Sequence, residues 1–214
     1  MKFRNIVFDF NGTILNDVDL CISLLNEMLV SKNHQEVKRE DYFNIFTFPI
    51  IEYYKKAGFD FNGYTFKELA DVFIVEYTRR NETEAFIFDD FGYLIEELRK
   101  IGYKVVLCSA SKKVLLVEQL KYFGILEAFD DVIGLDDHFA VSKLDLAKQY
   151  IKERDIDLSN SYFVGDTTHD AEVGAECGLN VVLINRGHQS DDVLNSTNKP
   201  ILSSFKELIK MINN

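Results

Sequence analysis

Five short runs of this sequence are apolar from end to end: Ile6-Val7-Phe8, Val105-Val106-Leu107-Cys108, Val132-Ile133, Tyr162-Phe163-Val164 and Val181-Val182-Leu183-Ile184. A strand with one wet face alternates apolar and polar residues. A strand that is apolar throughout has both faces covered. Between and after the later runs lie stretches with apolar residues at helical spacing: Tyr93 to Lys100, Leu115 to Phe123, Lys143 to Glu153, His169 to Cys177 and Phe205 to Ile212. Doubly covered strands alternating with helices predict an α/β fold, a Rossmann-like doubly wound parallel sheet.

The stretch from Asp17 to Thr83 reads differently. Leu20, Leu24, Leu25 and Met28 recur at helical spacing, as do Leu69, Phe73, Ile74 and Tyr77, and no strand pattern interrupts them. With 214 residues the chain can hold one domain with an insert. The expected organisation is an α/β core of residues 1–16 and 84–214 with an all-helical cap of residues 17–83.

Composition narrows the partners. Lys and Arg number 24 against 35 Asp and Glu, for a net charge of −11. Nucleic acids and anionic membranes select basic surfaces, so neither is an expected partner. An anionic substrate must therefore find positive charge locally. Cys21, Cys108 and Cys177 are odd in number and far apart. They suit buried thiols in a reducing compartment, and the cytoplasm is the expected location. No signal peptide or membrane span is expected. Nothing in the sequence fixes the oligomeric state.

The apolar runs lead into residues that carry chemistry. Ile6-Val7-Phe8 runs into Asp9-Phe10-Asn11-Gly12-Thr13. Ligands of open α/β sheets bind outside the carboxyl ends of the strands. A carboxylate there can attack phosphorus and form an aspartyl-phosphate; the plainer role for Asp9 is a turn residue beside Asn-Gly. Gly165-Asp166-Thr167-Thr168-His169-Asp170 sets two carboxylates four residues apart at a strand-to-helix junction, facing one pocket. Hard oxygen donors of this kind suit Mg²⁺, and helix capping is the competing role. Ser109 can hold a phosphate oxygen together with backbone N–H groups from Ala110 onward, or act as an N-cap. Lys143 can neutralise a phosphate and nearby carboxylates, or stand as a surface lysine. The order of the four, each on the C-terminal side of an apolar run, favours phosphoryl chemistry.

With these motifs the chain resembles the haloacid dehalogenase superfamily of hydrolases, in its helical-cap branch of phosphoglycolate phosphatases and β-phosphoglucomutases. The matching segments are Asp9-Phe10-Asn11-Gly12-Thr13, Val106-Leu107-Cys108-Ser109, Lys143, and Val164-Gly165-Asp166 through Asp170. The resemblance spans essentially the whole chain. It implies a phosphatase for a small phosphorylated metabolite, in which Asp9 is phosphorylated and water then hydrolyses the intermediate. It also implies Mg²⁺ held by Asp9, the main-chain carbonyl of Asn11 and Asp166, with Asp170 in support. Ser109 and Lys143 would bind phosphoryl oxygens, with Gly12, Thr13 and Ala110 completing the substrate site. Leu144 stands where the family commonly has a proline, and Phe88-Asp89-Asp90-Phe91 where it commonly has Pro-Gly.

The main departure is Asn11, where the family's phosphatases carry an aspartate that protonates the leaving group and then activates water. An amide does neither. A backbone carbonyl is unaffected by the change, so the metal site is expected to survive. General acid–base help is worth ~10²–10⁴ in rate, or about 3–5 kcal/mol of barrier. Acyl and aryl phosphates are therefore expected to turn over faster than alkyl phosphates, and Asn11→Asp to raise alkyl-phosphate turnover. Two other readings stay open: a catalytically silent phosphate-binding or interaction protein, and a phosphonatase-like hydrolase that uses Lys55 or Lys56 as an imine former. Arg79, Arg80, Lys55 and Lys56 are candidate anion contacts or solvated helix residues, and Tyr53 and Tyr54 line the pocket or fill the cap core.

Overall fold

A computed structural model describes residues 2–135 and 142–213. Its main sheet has six strands in the order β5-β4-β1-β6-β7-β8. These are β1 (Asn5–Phe8), β4 (Lys104–Lys112), β5 (Asp131–Leu135), β6 (Tyr162–Gly165), β7 (Asn180–Ile184) and β8 (Ile201–Leu202). All the pairings are parallel. Helices α5 (Phe91–Lys100), α6 (Lys113–Tyr122), α7 (Lys143–Lys152), α8 (Thr168–Glu176), α9 (Asp191–Asn195) and α10 (Phe205–Ile212) connect or follow the strands. The doubly wound parallel sheet is the expected fold.

Strand pleating explains why the runs are apolar throughout. Ile6, Phe8, Val105, Leu107 and Val164 point to one face, against Leu94 and Leu98 of α5, Leu116 and Leu120 of α6, and Phe205 and Leu208 of α10. Val7, Val106, Cys108 and Phe163 point to the other, against Ala147 and Tyr150 of α7 and Val173 of α8. Successive residues serve opposite faces, so a polar side chain in the middle of these strands would be buried and would need a partner inside the protein. Each large side chain buried this way contributes about 1.5–3 kcal/mol.

Three elements were not legible in the pattern. A two-stranded antiparallel pair, β2 (Leu15–Asn16) and β3 (Phe86–Ile87), brackets the helical stretch, and β8 extends the sheet edge. Each strand is two residues long, too short to show a period. The third is the far half of β4. The sequence predicts a strand ending at Cys108, but β4 continues to Lys112 after a register shift beyond Cys108. Ser109 therefore lies within a strand, and the N-cap of α6 is Lys112.

Between β2 and β3 run α1 (Val18–Ser31), α2 (Arg39–Ile45), α3 (Ile50–Ala57) and α4 (Phe66–Glu84). They enclose an apolar cluster of their own: Val18, Leu25, Met28 and Leu29 of α1 with Tyr42, Tyr53, Tyr54, Phe59 and Leu69. Tyr53 and Tyr54 are thus core residues of this helical segment. Among the described residues no helix is long and apolar enough to cross a membrane. Cys21, Cys108 and Cys177 are free and buried.

Candidate active site

Strand register brings the sequence candidates to one edge. Phe8 pairs with Leu107 on one side and with Val164 on the other. Asp9 is therefore level with Cys108 and Gly165, and Ser109 and Asp166 each lie one residue further along neighbouring strands. Asp170 follows within the first turn of α8, whose N-cap Thr167 forms a capping box with it. Lys143 opens α7 behind a second capping box, Ser142 with Asp145. Both boxes satisfy helix N–H groups that would otherwise be unpaired, and so fix where Asp170 and Lys143 project.

The Lys143 ammonium is the hub. It donates to Asp9 Oδ1 and, at 2.6 Å, to Asp170 Oδ1. The other Asp170 oxygen accepts from Thr167 Oγ1 at 2.6 Å and from the Thr167 N–H at 3.0 Å. Asp166 accepts from Thr13 Oγ1 at 3.0 Å and from the His188 N–H at 2.7 Å. Asp9 Oδ2 has no hydrogen bond among the described residues, and the Asp9 side chain keeps 13 % of its exposure while that of Lys143 keeps 4 %. A carboxylate oxygen held on one side and free on the other suits a nucleophile.

Electrostatics indicate a site short of positive charge. Burial, reinforced by Asp170 and Asp166 and opposed by Lys143, pushes Asp9 up to about 8. Burial, with Asp170 adding to it, pushes Asp166 up to about 6. Burial also acts on Asp170, but Lys143, with the Thr167 hydroxyl and His169, holds that carboxyl below the usual range. Burial opposes the Lys143 charge, yet Asp170 and Asp9 keep the ammonium firmly protonated. Ligand atoms of Asp9, Asp166 and Asp170 all lie within 4.8 Å of one another. Three carboxylates against one ammonium, all oxygen donors, fit a hard divalent cation. Asp170 already spends both oxygens on Lys143 and the helix start, which is a supporting position.

Two glycines permit this packing. Gly12 has φ of 72°, in the left-handed region, and a Cβ there would run into the Asp166 carboxylate and lie 2.7 Å from His188 Cδ2. A Cβ on Gly187 would also meet that carboxylate. The loops after β1 and β7 close on Asp166 from two sides because neither has a side chain there.

Beside Asp9 lies a second polar layer that sequence reasoning missed. Asn11 Nδ2 donates to Asp17 Oδ2 at 2.8 Å and to the Tyr77 hydroxyl at 2.6 Å. Asp17 also faces His188 Nε2 at 3.2 Å, and His188 Nδ1 meets the Tyr42 hydroxyl at 2.8 Å. Burial opposes charge on both partners, but Asp17 pushes His188 up to about 9 and His188 draws Asp17 below its usual range. His188 lies just beyond the apolar run Val181-Val182-Leu183-Ile184, at the carboxyl end of β7. That position was its available signal. Asp17 was hidden as an ordinary acid at a helix start.

The remaining candidates fall as follows. Ser109 is buried, and its Oγ accepts from the Ser111 N–H at 3.1 Å; Ala110 beside it is exposed. Arg79 pairs with Glu76, and Arg80 with Glu27 and Glu84. Lys55 pairs with Glu52 at 2.7 Å, and Lys55 and Lys56 are both exposed. None of these four cations joins the carboxylate cluster. The helical segment instead meets the core through hydrogen bonds from Ser190 N–H to the Phe43 carbonyl and from Gln189 Nε2 to the Phe46 carbonyl, and through Phe46 stacked on His188 at 4.8 Å.

The model of the haloacid dehalogenase-like hydrolase family matches residues 6–184, which take in Asp9, Asn11, Ser109, Lys143, Asp166 and Asp170. Pyrophosphatase PpaX of Bacillus cereus is 26% identical over 193 residues, covering 86% of this chain and 84% of that protein. Tyrosine-protein kinase PtkA of Mycobacterium tuberculosis is 21% identical over 199 residues, covering 92% of this chain and 67% of that protein. The crystal structure of a predicted phosphatase from Clostridium acetobutylicum aligns over 100% of this chain and 99% of its own, with a TM-score of 0.80 and 19% identity. That last likeness is one of fold.

Proposed function

We infer that this chain, which belongs to the haloacid dehalogenase-like hydrolases, is a Mg²⁺-dependent phosphatase of a small phosphorylated metabolite. The observation that carries this reading is the buried Lys143 ammonium tied to both Asp9 and Asp170, next to Asp166. Such an arrangement is costly to bury and has an evident use in holding a phosphoryl group against a nucleophile.

The free oxygen of Asp9 attacks phosphorus. The bond from phosphorus to the leaving oxygen breaks, and its electron pair departs with that oxygen. Water then attacks the same phosphorus, the bond to Asp9 breaks with its electron pair returning to the carboxylate, and the water oxygen and both of its protons leave in the dihydrogen phosphate product. Lys143 neutralises phosphoryl charge and keeps Asp9 oriented. Ser109 offers a hydroxyl at the same sheet edge, with Gly12, Thr13 and Ala110 as further substrate-site residues. Asp9, Asp166 and the main-chain carbonyl of Asn11 would hold the metal, with Asp170 in support. The bound ion would supply charge neutralisation and alignment of the phosphoryl group. The helical segment acts as a cap and sets the substrate.

Asn11 confines the chemistry. Its amide cannot protonate a departing alkoxide, so the leaving group must be stable as an anion. Exposure of Lys55 and Lys56 speaks against the phosphonatase-like alternative, and the intact carboxylate cluster against a silent binder. The test is phosphate release from acyl, aryl and alkyl phosphates with Mg²⁺. Turnover is expected on the first two, lost with EDTA and restored by excess Mg²⁺. Failure on all three, with thermal stabilisation by the same compounds, would instead establish a binding protein.

A further inference from the structure

We propose that Asp17 is the positioning residue for Asn11, holding its amide so that only the carbonyl oxygen stays uncommitted and making position 11 selective against a carboxylate.

Asp17 is 1% exposed. Its Oδ1 accepts from the Gly12 N–H at 3.0 Å and faces His188 Nε2 at 3.2 Å. Its Oδ2 accepts from Asn11 Nδ2 at 2.8 Å and from the Tyr77 hydroxyl at 2.7 Å. The nucleophile loop, the loop after β7 and α4 thus converge on one carboxylate. An ionised carboxylate only accepts, so the Asn11 side chain must turn its nitrogen toward Asp17. That nitrogen also donates to the Tyr77 hydroxyl, which occupies both amide hydrogens. Asn11 Oδ1 accepts no hydrogen bond among the described residues.

This arrangement revises what one substitution can do. Asn11→Asp replaces the nitrogen with an oxygen 2.8 Å from Asp17 Oδ2. An oxygen there has no N–H to give to Asp17 Oδ2 or to the Tyr77 hydroxyl, so two carboxylate oxygens, both acceptors, face each other, and the side chain at 11 is turned toward Asp17 and not toward a leaving group. The sequence alone predicts that Asn11→Asp raises alkyl-phosphate turnover; with Asp17 in place that gain requires a second change. Exchanging the two groups, Asn11→Asp with Asp17→Asn, keeps one amide and one carboxylate in contact. The amide oxygen introduced at 17 still accepts from Gly12 and His188. A carboxyl at 11 is then released from a charged neighbour.

The activity part of this inference rests on the phosphatase reading; the stability part does not. The experiment compares wild type, Asn11→Asp, Asp17→Asn and the double exchange at neutral pH. It measures Tm and turnover of glycerol phosphate and p-nitrophenyl phosphate. Asn11→Asp is expected to lower Tm by about 4 °C or more in the wild-type background and by less than about 1 °C when Asp17→Asn is present. The exchange is expected to exceed Asn11→Asp in glycerol phosphate turnover by roughly tenfold or more, with a smaller change on the aryl ester. Asp17→Ser closes the same cycle if Asp17→Asn does not fold. Equal Tm losses in both backgrounds, or a full gain from Asn11→Asp alone, would overturn the proposal. Coupled Tm values with no phosphate release from any of the four proteins would keep the Asp17 assignment and remove the phosphatase reading.

Discussion

Asp9→Asn is expected to lower kcat on acyl and aryl phosphates by on the order of 10⁴-fold or more, the scale on which covalent enzymes lose their nucleophile. The amide retains the shape of the side chain but has no charged oxygen to offer phosphorus. Acid-quenched wild type is expected to carry a phosphate on the peptide containing Asp9, and the variant none. The fold is expected to survive. Asp9 sits buried beside Asp166 and Asp170 and is pushed up to about 8 from 3.8. A carboxyl that binds its proton more tightly when folded favours the folded state at low pH, and that stabilisation is lost as pH rises from about 3.8 to about 8. In metal-free buffer the Tm of Asp9→Asn relative to wild type is therefore expected to rise across that interval. A variant that loses activity and also unfolds increasingly toward pH 8 would contradict this assignment.

Lys143→Met is expected to produce the largest loss of stability together with loss of turnover. It strands Asp9 and Asp170, which share the Lys143 ammonium inside the protein. Removing one partner of a buried ion pair typically costs 3–5 kcal/mol, because the remaining charge has neither water nor a counterion. In a chain of this size that corresponds to a Tm fall of roughly 6–20 °C. Methionine matches the lysine stem, so the loss would come from the charge and not from a cavity. Added Mg²⁺ is expected to recover part of the lost Tm, since a cation among the same carboxylates would replace the missing charge. Thermal melts with Mg²⁺ and with EDTA measure both effects, and a melt indifferent to Mg²⁺ would argue against a metal among Asp9, Asp166 and Asp170.

The sheet was legible because its central strands have no solvent face, so their apolar runs stand out without any knowledge of neighbours. Asp9 and Asp166 were legible for a related reason: in an open parallel sheet, the end of a buried strand is where chemistry can be placed, and Lys143 stood out as a lysine opening a helix of the same core. Legibility failed where local sequence carries no period or where a role is created only by tertiary approach. β2, β3 and β8 are two residues long. Ser109 continues a strand, since β5 supplies partners beyond the register shift. Asp17 looks like any acid at a helix N-cap until Gly12, Tyr77 and His188 converge on it, and that convergence depends on the glycines at 12 and 187. Arg79, Arg80 and Lys55 could be read as anion contacts only while Glu76, Glu27, Glu84 and Glu52 were not known to neutralise them.

The central claim is that Asp9 and its surroundings perform phosphoryl transfer while Asn11 withholds the proton that a poor leaving group needs. It is tested most directly by kcat/KM of the wild-type protein, with Mg²⁺, over acyl, aryl and alkyl phosphates of increasing leaving-group pKa. A steep decline is predicted, with alkyl esters falling roughly 10²–10⁴-fold below aryl esters for want of general acid catalysis. A flat dependence, with alkyl and aryl phosphates hydrolysed at similar rates, would contradict it.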